Sequence, residues 1–84
     1  MKTITYLNKV FGNNQVTDLT SSKDEDDEAI EMFGIDENED DSEPSYIVRV
    51  FESSYSVHSI SGDLLHTSNN KNDFKKYITK VLAS

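Results

Sequence analysis

The residues of this chain best placed to do chemistry are carboxylates, and they lie together. Residues 24–43 hold twelve of the sixteen acidic residues and no Lys or Arg. They fall in two groups: Asp24, Glu25, Asp26, Asp27, Glu28 and Glu31, then Asp36, Glu37, Glu39, Asp40, Asp41 and Glu43. All eight basic residues lie elsewhere, so the net charge of −8 is the difference between a strongly acidic block and a mildly basic remainder. Such a block attracts basic surfaces and steers their approach. Arginine forks can bind carboxylates bidentately. Nucleic acid and anionic membranes carry the same sign and are repelled, so neither is expected as a direct partner.

Other constellations carry less. Asp36, Asn38 and Asp40 match the first three ligands of an EF-hand loop. Asp41 then stands where the turn needs Gly, and Ile47 where the bidentate Glu belongs. His58 and His66 are the only histidines. A three-residue loop, 61–63, would set them face to face across a hairpin, but two His without a third ligand make a poor zinc site. With no cysteine there is neither disulfide nor thiolate site. No Gly-x-Ser-x-Gly, His-Glu-x-x-His or phosphate-cradling glycine loop occurs. The expectation is a protein that is not an enzyme, with no cofactor and no metal. Lys71, Lys75, Lys76 and Lys80 read as the polar face of a helix that complements the acidic block.

The elements that position these groups follow from periodicity. Eighty-four residues, 35% hydrophobic, allow one domain, 1–84, with a modest core. Residues 3–11 place Ile4, Leu7, Asn8 and Phe11 at helical spacing with Gly12 as a stop. The β-rich TITY and the GNN that follows argue for a hairpin with residues 15–20 instead; the helix is favoured. Residues 13–21 then form a linker, with Val16 and Leu19 touching the core. Ser22 and Glu25 form a capping box that predicts a helix over 22–34, its first turn acidic and its end apolar at Ala29, Ile30, Met32 and Phe33. Repulsion among Asp24, Glu25, Asp26, Asp27 and Glu28 opposes that helix. Residues 35–44 read as an exposed loop.

Residues 45–67 alternate as a β-meander of about three strands, with turns at Ser53-Ser54 and Gly62-Asp63. That register sets Val50 opposite Val57 and Ile47 opposite Ile60. Tyr46, Val48, Val50, Tyr55, Val57 and Leu64 share the expected core face; Ile47, Phe51, Ile60 and Leu65 remain on the other and call for some cover. Residues 72–83 carry a complete amphipathic stripe, Phe74, Tyr77, Ile78, Val81 and Leu82, with Asn70 or Asn72 as cap. The fold expected is α+β: a small antiparallel meander packed on a C-terminal helix, with an acidic helix in the N-terminal half.

In size, charge and layout the chain resembles the small acidic inhibitors encoded by bacteriophages, the anti-CRISPR and anti-restriction proteins that mimic DNA. The resemblance implies a non-catalytic inhibitor that fills the nucleic-acid groove of a CRISPR effector or restriction nuclease, with both acidic groups as phosphate surrogates. Six carboxylates on a helix would match the charge density of duplex DNA, one per ~1.7 Å of axis. An immunity protein or antitoxin against a basic toxin, and an adaptor domain with a solubilising acidic loop, are the alternatives. The N-terminal residues lack a sustained apolar run, and no stretch approaches the ~20 apolar residues of a membrane span. The location expected is the cytoplasm of a bacterial host cell, as a monomer or homodimer.

Overall fold

Among the described residues, five short antiparallel strands, each beside its neighbour in the sequence, form one sheet. The computed structural model describes residues 2–12, 15–36 and 44–83. Helix α1 (Thr3–Phe11) precedes β1 (Val16–Asp18) and a single 3₁₀ turn (Thr20–Ser22). The strands β2 (Glu31–Ile35), β3 (Tyr46–Val50), β4 (Tyr55–Ser59) and β5 (Leu64–Ser68) follow, and then α2 (Lys71–Tyr77), which continues into a π turn (Ile78–Leu82). The class is α+β as expected, with five strands rather than about three.

Strand periodicity decides where the core sits. Phe33 pairs with Val48, and Val48 with Val57, so one row of fully buried side chains crosses the three central strands. Ile35 and Val50 extend that face. Both helices cover it: Leu7 of α1, Phe74 of α2 and Ile78 of the π turn complete the buried cluster. Each such fully buried large side chain is worth about 1.5–3 kcal/mol. The Tyr55 and Phe74 rings stack with centroids 4.4 Å apart. The Tyr6 hydroxyl ties the helices together by donating to the Lys75 carbonyl at 3.1 Å.

The acidic helix expected over 22–34 does not form. Its C-terminal part is β2, which pairs with β1 on one side and β3 on the other. Two ladders of backbone hydrogen bonds outweigh the local helical signal, and the carboxylates escape the close spacing that a helix imposes. The N-terminal part of that stretch is an irregular connection. β1 was hidden in what reads as linker; Val16 does pack against the core.

The meander is present with its register moved by two residues. Val50 pairs with Tyr55, Val48 with Val57 and Ile47 with His58. A slip of two leaves every side chain on its expected face, so Val48, Val50 and Val57 are buried as the alternation requires. Leu64 is the exception, 58% exposed. The β4–β5 turn is a three-residue loop, Ile60, Ser61 and Gly62, with Gly62 at φ 100° and its amide bonded to the Ser59 carbonyl. The pairing then shifts by one residue between Val57 and His58, and this bulge carries Leu64 away from the core.

Asn70 caps α2, accepting from the Asp73 amide at 2.8 Å. The stripe expected over 72–83 holds as far as Ile78. The Ala83 amide then bonds back five residues to the Ile78 carbonyl. The wider turn brings Leu82 nearly above Ile78 and swings Val81 outward, leaving it 54% exposed.

Candidate partner-binding surface

The first acidic group lies on the connection from β1 to β2. Leu19 starts it, with its amide on the Met32 carbonyl at 2.8 Å, and the Thr20 hydroxyl accepts from the Met32 amide at 3.1 Å. The Asp27 amide returns to the Asp24 carbonyl at 3.0 Å, which closes a turn. Asp27 then becomes the fastening: one carboxylate oxygen accepts from the Ala29 amide at 2.9 Å, and the other accepts from Nε of Arg49 at 3.2 Å. Ala29 is buried, and the Ile30 amide donates to the Val50 carbonyl at 2.7 Å. Held at both ends and at Asp27, the connection leaves Asp24, Glu25, Asp26 and Glu28 exposed.

The candidate residues therefore divide. Asp24, Glu25, Asp26 and Glu28 are available to a partner, and exposed Ile30 follows them. Asp27 holds the connection in place; the Ala29 amide and, next, Arg49 keep its carboxyl below the usual carboxylate range. Glu31 opens β2 opposite Val50, half-buried. Asp36 stands past the end of β2, half-buried, with its amide on the Gln15 carbonyl at 2.8 Å. Glu37, Glu39, Asp40, Asp41 and Glu43 lie outside the described residues.

Arg49 is the residue that sequence reasoning missed. It is the only arginine, set at a polar phase of the apolar strand YIVRV. Strand alternation puts it on the face away from the helices, beside Ser56 and in the row next to Ile47 and His58. Its Nη1 lies 3.5 Å from Nδ1 of His58. Burial and, second, the Arg49 charge push the His58 imidazole below its ordinary pKa. Gly34 sits on this same face, where Leu19 and Pro44 close over it so tightly that a Cβ would stand 3.1 and 3.0 Å from them.

The histidines do not meet. His58 pairs with Leu64, whereas His66 lies opposite Val57, stacks on Tyr77 at 4.1 Å and bonds Asp73 through Nε2 at 3.1 Å. Among the described residues no three His, Asp or Glu side chains gather as a metal cluster, and no helix is long and apolar enough to cross a membrane. Among the described residues Arg49 pairs with Asp27, and the Asp73 carboxylate lies within hydrogen-bond distance of the His66 ring. Lys75 stands over the Tyr6 ring, 5.1 Å from its centroid.

No family model, curated protein or solved structure matches this chain. What its own geometry offers a partner is a fastened turn that presents carboxylates on the rim of a small α+β body.

Proposed function

We propose that this chain is a non-catalytic inhibitor. Its acidic surface occupies the basic nucleic-acid-binding groove of a host defence nuclease, a CRISPR effector or restriction enzyme, in a bacterial cytoplasm. The observation that carries the reading is the fastened connection, with Asp24, Glu25, Asp26 and Glu28 exposed around an Asp27 held by Arg49 and the Ala29 amide. The helical charge ladder is replaced by a turn whose consecutive Cα atoms are ~3.8 Å apart. Carboxylates on an ordered turn lose less conformational freedom on binding than carboxylates on a free strand. Association is steered by charge and weakens as salt rises.

The test reverses Asp24, Glu25 and Asp26 to Lys together, away from the fastening. Capture of a basic nuclease from host lysate at low salt is expected with the native chain and lost with the variant. Equal capture with an unchanged salt dependence refutes the reading.

A further inference from the structure

A cleft of about 310 Å³ opens at the end of the sheet where the two helical segments finish. It is lined by Phe11, Gln15, Ile35, Asp36, Tyr46 and Leu82, among others. The volume is at the low end for a small-molecule pocket and ample for one long side chain.

Three observations fix the sign of what it takes. Phe11 is the last residue of α1 and Leu82 the last of the π turn, so two helical C-termini converge on the cleft. Each brings carbonyls without intrahelical donors and a partial negative charge. Asp36 adds a full carboxylate. Its Oδ1 is shut off from solvent and has no hydrogen-bond partner among the described residues. The contacts Arg49–Asp27 and His66–Asp73 leave Asp36 out, and among the described residues no Lys or Arg lines the cleft. An unmet buried acceptor is unfavourable, and a donor that reaches this carboxylate relieves it. Phe11, Tyr46 and Leu82 add aromatic and apolar groups beside the Gln15 amide, while Ile35 is almost fully buried. Negative ends and a carboxylate beside aromatic rings suit a flat cation on an apolar stem, which stacks on the rings and forks onto the carboxylate.

We infer that this cleft receives an arginine side chain of the basic partner, with Asp36 as its counter-ion. The inference rests on the proposed function and adds to it a discrete pocket, separate from the rim at Asp24, Glu25, Asp26 and Glu28. The cleft lies at the Ile35 end of β2 and the acidic turn joins at the Glu31 end, so the partner's arginine would sit about one strand length from the surface that meets the rim carboxylates.

The test titrates the isotope-labelled native chain with N-acetyl-arginine methylamide and, in parallel, with the neutral citrulline analogue of the same shape. Saturable amide shifts are expected at Ile35, Asp36 and Leu82 with the arginine compound, together with nuclear Overhauser contacts from its δ-methylene to the Phe11 ring. The citrulline compound should not saturate. Asp36→Asn should weaken the arginine compound at least tenfold, and Phe11→Leu several-fold, in variants whose other amide shifts are unchanged. An affinity unchanged in Asp36→Asn, or shifts confined to residues 24–28, overturns the cleft assignment. A homodimer that Asp36→Asn dissolves makes a second copy the occupant and overturns it too. The proposed function is tested apart from this, because the triple reversal of Asp24, Glu25 and Asp26 keeps Asp36 native. Loss of capture in that variant with no cleft binding sinks the cleft alone. Cleft binding with undiminished capture sinks the proposed function.

Discussion

Arg49 and Asp27 meet through a 3.2 Å bond from Nε to Oδ2, and this contact joins the middle strand of the sheet to an acidic turn twenty-two residues earlier in the chain. The other Asp27 oxygen accepts the Ala29 amide, so a single carboxylate both shapes the turn and fastens it. Arg49→Met keeps the stem and removes the fork. It should destabilise the fold by about 1 kcal/mol, the range of a partly exposed charge-assisted pair. Urea unfolding measures the loss, and amide exchange should quicken over residues 24–30 before it does in β3. Unaltered exchange in the turn would show that Arg49 does not hold it.

The same cluster sets a pH dependence. The Asp27 pKa is lowered by the Ala29 amide and by Arg49. Its contribution is therefore present above the unfolded value, ~3.9, and disappears as pH falls through the lower folded value. The His58 pKa is lowered by burial and by Arg49. The unfolded chain takes up that proton first, so stability declines as pH drops below ~6.5 towards the folded value. Protonation of the acidic block relieves repulsion and acts in the opposite direction, so differences between variants are the clean measure. Between pH 7 and 5, His58→Gln should lose less stability than the native chain. Asp27→Asn should flatten the step below pH 4. Parallel curves for native and variant proteins would contradict these assignments.

Gly34 has no room for a side chain. A Cβ there would stand 3.0 Å from Cβ of Pro44 and 3.1 Å from Cδ1 of Leu19. Gly34→Ala should cost about 1–3 kcal/mol through overpacking. Leu19→Ala in the same chain should recover part of that loss by removing one of the two contacting side chains, while the Pro44 contact remains. Thermal melts of the two single variants and the double variant test this coupling. Strict additivity would rule out the contact.

Asn70 and Asn72 both suit a helix N-terminus, and the hydrogen bond to the Asp73 amide comes from Asn70. Asn70→Ala should lower stability by about 1 kcal/mol. Asn72→Ala, at an exposed position inside α2, should change it by less than about 0.5 kcal/mol. Equal losses in denaturant titrations would mean that the cap is misassigned.

What the sequence determined by itself is local and periodic. The spacing of Ile4, Leu7 and Phe11 with Gly12 after them specified α1, and the stop is realised with Gly12 at φ 101°. Alternation placed β3 and β4 on their correct faces, and the Phe74–Ile78 stripe placed α2 on the core. The gathering of twelve of the sixteen acidic residues into one block free of Lys and Arg was also legible in the sequence. Tertiary structure decided the rest. The stretch EMFGI, residues 31–35, has apolar spacing that serves a helix or a strand. It became β2 because strands on both sides offered their backbone groups. The Ser22 capping box needed a helix to cap, and mutual repulsion with sheet pairing removed it. The π turn beyond Tyr77 moved Val81 off a stripe that the sequence completes. Residues 24–28 were acidic whatever the fold. The local Ala29 amide and the approach of Arg49 across the sheet together divided them into one carboxylate that holds the turn and four that face outward, and the Arg49 contact depends on a partner distant in the chain.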